Sequence, residues 1–155
     1  MLLARTLFFL AGSLLAPKET VDASSVWETA QALAEVVEEL PPVYDGPEGR
    51  ERTALLLWSM AYHESRWDPW AYNPTGGDTG IVQVRALWFR GHARDEILGD
   101  ARLGFELGLR ALLDCRKACG GTTTSWLGAY ASGKCGGARS KVLLRCAPLG
   151  LCDQR

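Results

Sequence analysis

Glu64 is the side chain whose type and setting best suit chemistry. It closes a strongly apolar run, Ala54-Leu55-Leu56-Leu57-Trp58-Ser59-Met60-Ala61-Tyr62-His63, and stands directly before Ser65-Arg66-Trp67-Asp68-Pro69, where a helix must stop. A carboxyl at the mouth of a greasy helix end is poorly solvated, so its charged form is disfavoured and its pKa rises. A carboxyl held protonated near neutral pH can hand a proton to a leaving group, as the acid does in glycoside cleavage.

Other chemistries find less support. His63-Glu64 begins like the zinc-protease pattern, but the position one turn later is Trp67 where a second histidine is required, so no metal is expected. A Cys–His nucleophile pair needs a reactive thiol beside His63 or His92, and cysteines bunched in one C-terminal segment are more often oxidised. No glycine-rich phosphate loop follows a strand, so neither nucleotide chemistry nor any other cofactor is implied. What remains is a carboxyl with an aromatic and amide surround: Trp67, Asp68, Trp70 and Tyr72, then Gly80-Ile81-Val82-Gln83, and later Gly128-Ala129-Tyr130-Ala131-Ser132-Gly133.

The elements that must position these residues read as mainly α. Ser25-Val26-Trp27-Glu28 is a capping-box pattern that predicts a helix over Trp27 to Leu40, stopped by Pro41-Pro42. A second helix is expected from about Glu48 to Glu64. Residues Ser65 to Gly80 hold two prolines and three glycines and read as an irregular loop. Ile81 to Phe89 is ambiguous by period, either a short buried helix or a strand. Asp100 caps a long helix to about Cys119, with leucines recurring along it, and Gly120-Gly121 stops it. Thr124 or Ser125 caps a short helix through Ala131, ended by Gly133, and an amphipathic helix over Arg139 to Cys146 precedes a Pro/Gly/Cys tail.

The segment from about Ala54 to Gly136 resembles the catalytic domain of soluble lytic transglycosylases, the lysozyme-like enzymes that cut bacterial peptidoglycan. Their Glu-Ser pair at a helix end, followed by an aromatic residue, Asn or Asp, and Pro, is matched by Glu64-Ser65-Arg66-Trp67-Asp68-Pro69. Their Gly-Leu-Met-Gln is matched by Gly80-Ile81-Val82-Gln83, and their Ala-Tyr-Asn with a following glycine by Ala129-Tyr130-Ala131-Ser132-Gly133. Val82 replaces Met, Ala131 replaces Asn, and the loop between the first two motifs is one residue longer. Three motifs in order weigh more than any one alone.

The resemblance implies a lysozyme-like single domain with a Cys-rich C-terminal segment, over residues 24–155 with a motif-bearing core of about 48–136. It implies cleavage of the N-acetylmuramic acid–N-acetylglucosamine bond with a 1,6-anhydro product, Glu64 being acid and then base. Ser65, Gln83, Tyr130 and Trp67 are the implied substrate-side residues: Ser65 on sugar or shaping the helix end, Gln83 lining the cleft, Tyr130 orienting the glutamate. Trp67, Trp70 and Trp88 are candidates to stack on sugar faces. Asp78, in Gly76-Gly77-Asp78-Thr79-Gly80, fits a turn; goose-type lysozymes, similar in fold, carry aspartates in the comparable loop, so a hydrolytic muramidase using Glu64 and Asp78 is the alternative. A wall-binding module without turnover is the third reading.

Composition frames these expectations. The chain has 155 residues, is 47% hydrophobic and 23% charged, which suits one globular domain. Met1 to Ala4 and Arg5, then an apolar stretch from Thr6 to Ala16, a break at Pro17-Lys18-Glu19-Thr20 and Val21-Asp22-Ala23 read as an export signal over 1–23, cut after Ala23; the apolar stretch is too short for a membrane span. All five cysteines lie in the last third, which in an exported chain predicts one or two disulfides and a leftover thiol. Ser24 to Gln83 carries ten acids and three bases, Val84 to Arg155 twelve bases and six acids. A solvated surface with the two halves partly pairing accounts for this, so no nucleic-acid partner is expected. The partner is the glycan strand, and the protein is expected to be a monomer outside the cytoplasm, in the periplasm or beyond.

Overall fold

The structure is a computed structural model that describes residues 2–14 and 22–152. Among these residues it is mainly helical, with no strand. The helices are α1 (Leu2–Leu14), α2 (Ala23–Glu39), α3 (Gly49–Ser65), α4 (Arg94–Ile97), α5 (Ala101–Cys119), α6 (Thr123–Ser132) and α7 (Arg139–Cys146). Short 3₁₀ turns cover Ala86–Trp88 and Ala147–Leu149.

Helix α3 is the centre. Ala54 and every residue from Leu56 to Tyr62 are buried, so it is apolar on all sides. Helices α1, α2, α5 and α7 pack around it. Helix α5 turns one face inward, burying Phe105, Leu109 and Leu112, and also packs on α2 and α6. Its cap is as expected: the Asp100 carboxylate accepts from Leu103 N–H at 2.9 Å.

Two caps differ from the sequence expectation. Helix α2 starts at Ala23, and its cap is Asp22, whose carboxylate accepts from Ser25 N–H at 3.0 Å. Asp22 precedes the Ser25–Glu28 box and takes up the Ser25 amide, the third of the helix. Helix α6 starts at Thr123 with Thr122 as its cap residue, two positions before Thr124 and three before Ser125. Ile81 to Phe89 forms no strand, and its helical part is the short 3₁₀ turn over Ala86–Trp88, which buries none of its residues. Gly80 to Gln83 forms a tight turn, closed by Gln83 N–H to Gly80 C=O at 3.0 Å and by the Thr79–Val84 pair at 2.9 and 3.0 Å.

The acidic front half and basic back half do meet. Arg102 on α5 pairs with Glu35 and Glu39 on α2, and Arg116 pairs with Asp45. Two disulfides, Cys119–Cys135 and Cys146–Cys152, close the C-terminal third and leave Cys115 as a buried thiol. Helix α1 packs on α2 and α3, with Leu7 fully buried and Phe8 edge-on to Trp27 at 5.7 Å. The break expected at Pro17 to Thr20 lies outside the described residues. No helix among the described residues is long and apolar enough to cross a membrane.

Candidate active site

Glu64 occupies the last-but-one position of α3, and the end of that helix is built unusually. Arg66 and Trp67 both have positive φ, 60° and 61°. Arg66 N–H returns to the Tyr62 carbonyl at 3.0 Å and Trp67 N–H to the Ala61 carbonyl at 3.3 Å. The first is the single 5→1 bond of an αL helix end, made here without glycine, and the second reaches back six residues. Two such residues in succession cost on the order of 1–3 kcal/mol each. The compensation is Trp67. Its ring is buried against Trp58 and Tyr62, with centroids at 4.9 and 5.0 Å, and its Nε1–H donates to the Trp58 carbonyl at 3.2 Å. The core thus clamps the backbone two and three residues beyond the carboxyl.

Ser65 fixes the helix end from the other side. Its Oγ lies 2.7 Å from the Ile81 carbonyl and 3.0 Å from that of Ala61, so it ties α3 to the Gly80–Gln83 turn. Tyr130, buried on α6, donates its hydroxyl to the Val82 carbonyl at 2.8 Å, so the same turn is held by a second helix. Burial, with the nearby charge of Glu64 adding to it, raises the Tyr130 pKa far above its ordinary value and keeps the hydroxyl a donor. Gln83 sits at φ 51° and spends its amide hydrogens on the carbonyls of Gly80 (3.0 Å) and Ala71 (3.1 Å). The three motifs therefore converge on one knot of hydrogen bonds beside Glu64.

Helix α5 supports that knot through two small residues. A Cβ at Gly104 would stand 2.9 Å from Ile81 Cγ2, and one at Gly108 2.6 Å from Val82 Cγ2. Their spacing of one helical turn lets the Ile81–Val82 backbone approach α5 closely. Their recurrence at i and i+4 was the available signal, masked by the leucines between them.

Glu64 itself is partly open, its side chain 21% exposed. Its pKa is raised, chiefly by burial, with the charge of Asp78 adding to the rise and Arg145, Lys141 and Arg85 opposing it. Arg145 meets the carboxylate directly, its Nη2 donating to Glu64 Oε1. Arg145 comes from the far end of the chain, and its contact with Glu64 spans 81 positions. A basic residue in a basic segment carries no local mark of such a partner.

Asp78 shares this neighbourhood. Its carboxylate accepts from Asn73 Nδ2 at 3.3 Å and lies 3.9 Å from Arg85 Nε, while Arg85 also donates to the Ala131 carbonyl at 2.9 Å. Arg85 thereby links the loop to the Ala131 position of the third motif through its backbone. Trp67 does not reach the surface, being 1% exposed, so it cannot stack on a sugar; its place is in the core clamp. Trp70, 69% exposed and lying over Gly99, and Tyr72, 40% exposed beneath Arg94, are the aromatic faces open to solvent on this loop. His63, next to Glu64 on α3, has its pKa lowered by burial and then by Arg145 and Arg66, which leaves the ring neutral near neutral pH.

Among the described residues no three His, Cys, Asp or Glu side chains converge as metal ligands. Comparisons with protein-family models, curated proteins and solved structures found no match to this chain.

Proposed function

We propose that this protein cleaves the glycan strands of peptidoglycan as a lytic transglycosylase with a lysozyme-like fold, Glu64 serving as acid and then base. One observation carries the proposal: a single partly open carboxyl with a raised pKa, fixed at a strained helix end and tied through Ser65 to a turn that Tyr130 also holds. That is the rigidity a proton donor needs.

In the first step protonated Glu64 gives its proton to the glycosidic oxygen, and the C1–O bond breaks towards an oxocarbenium-like centre. The N-acetyl group of the substrate steadies that centre, so no second carboxylate is required. In the second step the Glu64 carboxylate takes the proton of the muramic C6 hydroxyl as that oxygen bonds to C1. The glutamate returns to its protonated form and the product carries a 1,6-anhydro ring. Trp70 and Tyr72 are the exposed rings suited to sugar faces. Ser65, Gln83 and Tyr130 act here as the scaffold of the catalytic carboxyl. The two disulfides fit an exported protein.

A muramidase is the second reading, favoured by Asp78, whose charge acts on Glu64 from the adjoining loop. Mass spectrometry of purified peptidoglycan separates the two. The oxidised full-length chain, and in parallel the chain beginning at Ser24, is expected to release fragments with 1,6-anhydromuramic ends. Fragments heavier by one water, with reducing ends, would replace the transglycosylase by the hydrolase. No soluble fragments from a folded sample would leave a wall-binding module.

A further inference from the structure

Arg145 is an unusual neighbour for a proton donor. It sits in the last turn of α7, its side chain 5% exposed, and among the described residues its Nε and Nη1 are buried with no hydrogen-bond partner. A guanidinium taken out of water costs several kcal/mol, at least on the order of magnitude, unless a partner compensates it. The Glu64 carboxylate is that partner. Of the charged and titratable groups around Glu64, Lys141 shares α7 and is exposed, Arg85 and Asp78 come from the loop, His63 from α3 and Tyr130 from α6. Among the described residues, Arg145 is the cation that touches the carboxylate.

We infer that Arg145 is the built-in counter-ion of the acid/base carboxyl, a positioning residue that holds Glu64 and stabilises its ionised form between the two proton transfers. The inference rests on the reading of Glu64 as acid and base. When Glu64 releases its proton to the leaving oxygen, negative charge appears on its carboxylate oxygens. A guanidinium already in place meets that charge without reorganisation. Burial alone favours the protonated acid and hinders the ionised base; Arg145 opposes burial, so one carboxyl serves both steps.

The arginine is held for this task. The neighbouring Cys146 is buried and bonded to Cys152, and Leu151 N–H returns to the Cys146 carbonyl at 2.9 Å. Val142, one turn before Cys146, is also fully buried, so the last turn of α7 is anchored from both ends. The clasp places Arg145 over the end of α3.

The test uses the oxidised full-length chain with carboxyl-labelled glutamate. NMR titration of Glu64 is followed in the wild type, Arg145→Met and Arg145→Lys, beside the pH profile of peptidoglycan cleavage. Loss of the cation is expected to move the Glu64 titration up by about one to three pH units. The alkaline limb of kcat/KM should move up with it, because protonated Glu64 persists to higher pH. In Arg145→Met kcat should fall more than KM rises, and Arg145→Lys should recover much of both changes. An unmoved Glu64 titration in Arg145→Met overturns the inference. Should Arg145→Met not fold, the wild type decides. The Arg145 guanidinium nitrogen signals must follow the Glu64 titration, and signals blind to it overturn the pairing. The failure of the enzyme reading looks different: a shifted titration in a protein whose wild type leaves glycan intact overturns the catalytic role and reduces the contact to a structural ion pair.

Discussion

Replacing Gly108 with alanine aims one methyl group at the turn that carries Ile81 and Val82. The added Cβ would stand 2.6 Å from Val82 Cγ2, with Val82 Cβ at 3.7 Å and the Tyr130 hydroxyl at 3.8 Å. Carbon atoms rest at about 3.5–4.0 Å, so the two must part by about 1 Å. Valine is stiff at χ1 and fully buried here, so the turn has to yield rather than the side chain. Two effects oppose each other in stability. Alanine in a helix interior gains about 1 kcal/mol over glycine, and overpacking costs about 1–3 kcal/mol. The expected net loss runs from nothing to about 2 kcal/mol. Turnover should suffer more, because a misplacement of about 1 Å near a catalytic group can cost on the order of a hundredfold. Val82→Ala removes the offending methyl, so the two substitutions must be coupled. Alone it loses two buried methyl groups, about 0.8 kcal/mol each, plus a cavity term. Combined with Gly108→Ala, the new Cβ moves into the space it leaves. Urea denaturation of the four proteins should give a coupling energy of about 1–3 kcal/mol in favour of the double variant. Additivity within about 0.5 kcal/mol would refute the close approach of α5 to the turn, and with it the account of how the turn is held.

Glu64→Gln should lower glycan cleavage by about 10²–10⁴-fold, the usual contribution of a general acid, with binding of glycan fragments retained; surviving turnover removes the assignment. The same variant tests the raised pKa. A group whose folded pKa lies above its unfolded value stabilises the fold fully below the ordinary carboxyl range and loses that contribution as pH climbs through the folded value. The stability of wild type minus that of Glu64→Gln should therefore fall between acid and neutral pH, and a flat difference in denaturation midpoints across that span contradicts the burial. Trp67→Ala should cost about 3–5 kcal/mol of stability, whereas Trp70→Ala should stay within about 0.5 kcal/mol and weaken glycan binding in calorimetry; equal stability losses would undo the division between core clamp and sugar face. Replacing Cys119 and Cys135 together by serine opens a link of sequence separation 16 and should cost about 3 kcal/mol in urea midpoint analysis, and no loss would mean the bridge is absent from the folded protein.

What could be read in advance divides by how far apart the determinants lie along the chain. Helices α3 and α5 were legible nearly to the residue, because their ends are set locally: Asp100 accepts from its own first turn, and Pro47 and the Arg66–Pro69 stretch bracket α3. Even so, the cap of α2 passed to Asp22, since two local patterns competed and the earlier one reached the free amide first. Glu64, Ser65, Gln83 and Tyr130 do come together, but the last three reach backbone carbonyls of the turns and helix end around the carboxyl. Their types predicted polar contacts beside the carboxyl without predicting which atoms would receive them. Trp67 was misplaced for the opposite reason: two positive-φ residues turn the chain inward after α3, and a tryptophan at that spot is drawn into the core instead of facing the cleft. Arg145 carries no local signal, and the i, i+4 spacing of Gly104 and Gly108 is a weak one, masked by the leucines between them. An arginine is ordinary in a basic amphipathic helix, and glycine in a leucine-rich helix reads as a weakness until another backbone is laid against it. The sequence pattern thus locates the proposed acid, while the groups packed around it come from α5 and α7, whose approach only tertiary packing creates. If that division holds, variants in α7 will change the pH at which Glu64 works, and variants in α5 will change how firmly it is held.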